Sequence, residues 1–157
     1  MQIRDPKPHG PLSESRLVEF ERNCGFALPP DYREFLLEFN GGVPFPSSFW
    51  ITEPTDASGV QQLYGLHDGP LWLSIHTYAG DEASGVPAGM LPIGDDGVGD
   101  WICIGIGATH YGRLFFVDHE VHPRDEPDSM EGITQLAESF ERFLASLMHH
   151  PEDEQDA

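Results

Sequence analysis

Glycine and proline interrupt this chain so often that no regular element in it can be long. Its 157 residues include 17 glycines and 14 prolines. Each proline removes a backbone donor and each glycine permits a turn closed to other residues. That texture argues against an all-helical bundle and for short strands and helices joined by many turns. The length is that of one domain, able to bury roughly 70% of the unfolded chain's surface. Ten Phe, three Trp and four Tyr supply a core that needs no disulfide or metal.

The punctuation places the elements. Ser13 is a cap for a helix with Leu17, Phe20 and Cys24 on one face, and Gly25 stops it. Pro29-Pro30 forbids continuation. Asp31 reads as the cap of a second helix that buries Tyr32, Phe35, Leu36 and Phe39 and ends at Asn40-Gly41-Gly42. Ser48 to Thr52 reads as a strand, Glu53 to Gly59 as a polar turn, and Val60 to Leu66 as a second strand. Leu71 to Tyr78 fits a short helix or a strand, and Gly80 to Gly89 reads as a loop. Met90 to Ile93, Trp101 to Ile106 and Arg113 to Asp118 then alternate with the turns Gly94 to Asp100 and Gly107 to Gly112, the pattern of an antiparallel meander. Leu136, Phe140, Phe143, Leu144, Leu147 and Met148 recur at helical spacing, with Thr134 as a candidate cap. The expected fold class is therefore α+β: a mostly antiparallel sheet of short strands with helices packed against it. Residues 1–12 are expected to be a loose arm, 13–150 a single domain, and 151–157 an acidic disordered tail.

Charge narrows the function. Asp and Glu number 27 against 8 Lys and Arg, a formal net charge of −19. Such a surface repels phosphate backbones and anionic membranes, so neither nucleic acid nor membrane is expected as a partner. It attracts a basic protein, at a rate that falls as salt rises. Lys7 is the only lysine, and a proteome-wide acidic bias accounts for the charge equally well. No signal-peptide pattern opens the chain and no apolar run approaches the roughly 20 residues of a membrane span, so a cytoplasmic location is the simplest expectation.

Chemistry-bearing motifs are weak. Cys24 and Cys103 read as small core residues, not as a disulfide or zinc pair. Asp95, Asp96 and Asp100 lack the spacing and flanking helices of a calcium loop, and read as a glycine-supported hairpin turn whose carboxylates bond local backbone. His67, His76, His110, His119 and His122 include no His-Glu-x-x-His pattern. On a regular strand, His119 and His122 would point to opposite faces, which argues against shared ligation. Gly105-Ile106-Gly107 lacks the third glycine and the helix of a dinucleotide loop, and no Gly-x-Ser-x-Gly elbow is present. No catalytic residue, metal or cofactor is expected. Trp50, Trp72 and Trp101 read first as core or groove walls, and secondarily as interface anchors.

The run Leu28-Pro29-Pro30-Asp31-Tyr32-Arg33-Glu34-Phe35-Leu36 with Asn40-Gly41-Gly42, preceded by Glu21, Gly25 and Phe26, resembles the opening motif of the SUKH superfamily, the Smi/Knr family. Leu91-Pro92-Ile93-Gly94 with Gly99-Asp100 and Trp101 to Ile104 resembles its central hairpin, and Arg113 to Glu120 its following strand. Ala137, Ser139, Phe140, Phe143 and Leu144 resemble its closing helix. The likeness spans Ser13 to Met148, with Pro54 to Gly89 unmatched. It implies a non-enzymatic, protein-binding role, with a toxin-neutralising immunity protein as the leading expectation. The alternative is a regulatory or scaffold module of the cell-wall or signalling type. Under the first expectation the partner is a basic, nuclease-type toxin domain. The candidate contacts are Asp95, Asp96, Asp100, Asp118 and Glu120.

Overall fold

A computed structural model describes residues 2–79 and 85–152 of the chain. Two helices open the domain as their punctuation dictates. The Ser13 hydroxyl accepts the Arg16 N–H at 3.3 Å ahead of α1 (Glu14–Cys24), and Gly25 closes it in the left-handed region at φ 80°. The second helix, α2 (Pro30–Phe39), starts two residues earlier than expected. Pro29 is its cap, Pro30 occupies the first turn where a missing N–H costs nothing, and Asn40 ends it at φ 41°. Asp31 is therefore no cap for α2; its Oδ1 accepts the Tyr32 N–H and its Oδ2 accepts the Glu141 N–H at the start of the last helix. Glu21 clamps the α1–α2 corner, accepting the Leu28 N–H at 2.8 Å and the Arg33 guanidinium at 3.0 Å.

Strand β1 (Gln2–Arg4) pairs antiparallel with β2 (Val43–Phe45). The segment expected as a loose arm is thus tied down, with Ile3 and Leu12 buried. The reason is a fit that sequence periodicity does not reveal: Ile3 lies over Gly42, where an added Cβ would approach it to 2.7 Å. Strand β3 (Ser48–Thr52) matches its expected limits and pairs with β4 (Asp56–Gly59), inside the stretch expected to be only a turn. Within the expected strand Val60 to Leu66, only β5 (Gln62–Leu63) is regular. Leu71 to Tyr78 resolves as two 3-10 turns, Leu71–Leu73 and Ile75–Thr77. Of the loop Gly80 to Gly89, residues 80–84 lie outside the described residues, as do 153–157 of the expected tail.

The main sheet follows: β6 (Met90–Asp95), β7 (Trp101–Gly105), β8 (Leu114–Val117) and β9 (Ile133–Ala137), in the order β5-β6-β7-β8-β9 and antiparallel throughout. Ile133–Ala137 is a strand, not the start of a helix, because it completes the edge of β8. The last helix, α3 (Phe140–Ser146), starts later than its spacing predicts, and its cap is Ser139, not Thr134. Among the described residues, no helix is long and apolar enough to cross a membrane.

Alternation divides the sheet's side chains between two apolar clusters. Leu91, Ile102, Ile104, Leu114 and Phe116 face the helices, where Leu17, Phe20, Tyr32, Phe35, Phe140 and Phe143 pack on them. Met90, Cys103, Phe115 and Val117 face the other way, with Trp101 and Ile133 alongside. Cys103 is buried in that second cluster and burial pushes its thiol up, whereas Cys24 is only half-buried.

Asn40 joins the layers. Its side chain donates to the carbonyls of Gly10 and Leu66 at 3.0 and 3.1 Å, and accepts the Leu66 N–H at 2.8 Å. Removing that side chain leaves a buried donor and acceptor unpaired. We expect Asn40→Ala to lower the unfolding free energy by about 3 kcal/mol in urea melts. Asn40→Gly, which keeps the left-handed backbone easy, should lose most of the same amount.

Candidate functional site

The carboxylates singled out from sequence come from two turns that antiparallel pairing brings to one end of the sheet. Asp95 is opposite Trp101, and Trp101 is opposite Val117, so the β6–β7 turn and the exit of β8 are neighbours. Asp95 Oδ1 accepts the Gly97 N–H at 2.9 Å, and its Oδ2 accepts the Tyr64 hydroxyl at 2.7 Å. Asp96 Oδ1 accepts the N–H groups of Val98 and Asp100 at 3.0 and 3.1 Å. These are bonds that build a turn, as the Asp-Gly pattern implies.

Asp100 reaches across to β8. Its Oδ1 accepts the His119 N–H at 3.0 Å and also meets the His119 ring at Nδ1. Asp118 Oδ1 accepts the Glu120 N–H at 2.9 Å, which turns the chain as it leaves the sheet. The Glu120 side chain is 82% exposed, its nearest ionic neighbour His119 at 4.0 Å. The five candidates therefore share one end of the sheet but differ in what they are free to do. Asp95 and Asp96 are committed to the turn, Asp100 to His119, and Glu120 to solvent. Val98 at the turn tip and Val121 beside Glu120 are 72% and 48% exposed, so the acidic end also carries apolar surface.

The carboxyls do not titrate alike. Partial burial, with Asp100 close by, raises Asp96 above the ordinary range. Burial pushes Asp100 the same way, but the side-chain and backbone bonds from His119 outweigh it and hold Asp100 low. The same side-chain bond raises His119. Burial, with the bond to Asp95, pushes the Tyr64 phenol far up, so it remains a donor.

Asp100, Asp118 and His119 each offer a potential metal-ligand atom, all within 4.8 Å of one another. His119 Nδ1 and Asp100 Oδ1 already bond each other, so the trio is satisfied as it stands.

The strand argument separating His119 from His122 does not hold. Both lie beyond β8, in a segment closed by the Asp118 N–H donating to the Gly132 carbonyl at 2.9 Å. Together with Trp101, Val117 and Arg124 they line a cleft of about 230 Å³. Sequence reasoning missed this cleft, although Asp118 and Pro123 are turn residues that signal the strand's exit. Trp101 is half-buried as a wall, while Trp72 is 66% exposed next to Leu71 and belongs to no core.

A family model for the SMI1 / KNR4 family (SUKH-1) matches residues 11–146, from just before α1 to the end of α3. The chain belongs to that family. It is also 27% identical over 158 residues to the SPbeta prophage-derived uncharacterized protein YokK of Bacillus subtilis (strain 168), an alignment covering 88% of this chain and 76% of the relative. Within the SUKH-1 match, three of the residues that carried the sequence resemblance hold the scaffold: Glu21 clamps the helix corner, Asp31 ties α2 to α3, and Asn40 joins the layers.

The Asp100–His119 pair has a defined pH signature. A raised histidine stabilises fully below its unfolded pKa of about 6.5 and loses this as pH rises through its folded value. A depressed aspartate stabilises fully above about 3.9 and loses this as pH falls through its folded value. Asp100→Asn should thus lower the melting temperature most between about pH 4 and 6.5. A histidine titration by NMR should show His119 returning toward its ordinary value.

Proposed function

We propose that this SUKH-1 domain is an immunity protein that acts in the cytoplasm by binding a basic, nuclease-type toxin and covering its active surface, without catalysis. The observation that carries the reading is the acidic end of the sheet, on a chain of net charge −19 in a family that includes immunity proteins. A groove that binds phosphates is lined with Arg and Lys, and carboxylates held on a rigid turn compete for it. Asp95, Asp96, Asp100, Asp118 and Glu120 are the proposed contacts. Glu120 and the free oxygens of Asp118 and Asp100 meet the cations directly, and Asp95 and Asp96 hold the turn in place. Long-range attraction sets the association rate, and the apolar Val98 and Val121 supply contact area once water is expelled.

The test is co-expression with the product of the adjacent gene. Protection by the wild-type domain is expected, together with a complex whose association slows as salt rises. Asp118→Asn combined with Glu120→Lys should weaken that complex about tenfold, mostly through slower association, with the melting temperature unchanged. Toxicity untouched by the domain, or binding insensitive to both salt and charge reversal, would refute the proposal.

A further inference from the structure

Two large apolar side chains stand in water side by side: Leu71 is 60% exposed and Trp72 is 66% exposed. Single exposed apolar residues are ordinary, but a leucine and a tryptophan on one three-residue 3-10 turn form a contiguous patch. Tryptophan is among the side chains that dominate interfaces once buried there. The backbone beneath the patch is held firmly. Pro70 enters the turn with its φ fixed by the ring, and its carbonyl accepts the Leu73 N–H at 3.1 Å. The Leu71 carbonyl accepts the Thr77 hydroxyl at 2.6 Å, and the Trp72 carbonyl accepts the Tyr78 hydroxyl at 2.7 Å. The Leu73 carbonyl accepts from Nε2 of the buried His67 at 3.0 Å. Three consecutive carbonyls are thus tied to side chains, and the leucine and the indole are displayed on a fixed base.

This turn adjoins the acidic end of the sheet. Tyr78, which holds the Trp72 carbonyl, makes a T-shaped pair with Trp101, ring centroids 5.7 Å apart. Trp101 is the residue opposite Asp95 across β6 and β7. Tyr64 stacks on Tyr78 at 5.4 Å and donates its hydroxyl to Asp95. Burial and the nearby Asp95 charge both raise the Tyr78 phenol, so it stays a donor. A tyrosine pair therefore links the backbone under the exposed indole to the carboxylates of the β6–β7 turn. Charge decides what covers the patch. A second copy of the chain would bring its own net charge of −19 against the first. A cationic protein finds carboxylates and apolar surface at the same end of the domain.

We infer that Trp72, with Leu71 beside it, is the apolar anchor of the partner-binding surface, received by an apolar pocket rimmed with arginine or lysine on a cationic protein. The inference rests on the protein-binding reading above and extends its apolar surface beyond Val98 and Val121. The carboxylates steer the partner, and burial of the indole sets how long the complex lasts. Because the turn is already fixed, docking has little backbone left to order.

The probe is a phage-displayed library of random short peptides, panned against the full chain. Recovered binders are expected to combine Arg or Lys with Leu, Phe or Trp, and to lose affinity as salt rises. They should bind Trp72→Ala about tenfold more weakly. The indole lies outside the core, so this variant should melt at the wild-type temperature. Recovery of no binder, of uncharged binders alone, or of binders that Trp72→Ala leaves untouched overturns the inference. So does a dimer in sedimentation that Trp72→Ala dissolves, which would assign the patch to a second copy of this chain. Co-expression with the adjacent gene's product separates the two proposals. Trp72-dependent peptide binding without toxin protection sinks only the immunity reading, and protection that survives Trp72→Ala in full sinks only the anchor.

Discussion

The middle strands of the main sheet are apolar on both faces, and such strands need two covers. All four residues of β8 are buried, alternating between a cluster under the helices and a cluster on the opposite face. The helices supply the first cover by presenting one apolar stripe each. Among the described residues, the second cover contains no regular helix or strand. It comes from connecting segments around the sheet, including the one that leaves β8 at Asp118 and returns at Gly132. A cover made from a loop must satisfy its own backbone locally, which is why this segment is rich in turn-forming bonds from Asp118 and Ser129. It also seals the sheet less completely than a helix, and the cleft at Trp101 and His122 is where the seal is open.

How much of this was legible depends on the range of the interaction. Ser13, Gly25, Pro30 and Asn40 act within one turn of the chain, so α1 and α2 could be read almost to the residue. The strands β6 to β8 were legible because turn residues bracket apolar runs. The failures are long-range. Asp56–Gly59 has no apolar pattern and is a strand only because β3 lies beside it. Leu136 stands four residues before Phe140, a helical spacing, yet pairing of residues 133–137 with β8 overrides it. Likewise the carboxylates could be named from the Asp-Gly turn and the strand exit, and antiparallel order implies that they meet. The outward setting of Leu71 and Trp72 could not be foreseen, because it depends on the Thr77 and Tyr78 hydroxyls claiming the carbonyls of their turn.

Part of the family likeness rests on residues that the candidate surface does not use. Glu21, Asp31 and Asn40 bind other parts of the fold, so a likeness at these positions speaks for the scaffold. Glu120, Val98 and Val121 are held by little but their own turns. They can be exchanged without disturbing the sheet, so a domain of this construction can change partner while keeping its fold.

The bonds that hold the acidic end together also decide what it can offer. Carboxylates crowded at one end of a sheet repel one another, and each needs donors to remain in place. Here backbone N–H groups serve Asp95, Asp96 and Asp118, and an imidazole as well as a backbone N–H serves Asp100. These bonds fix the positions of the charges before any partner arrives, so association need not order them. They also consume some of the acceptor capacity on which a partner would draw. The oxygens left over, with the apolar tip residues beside them, set the strength of any contact made here, and the total negative charge sets only how fast it forms.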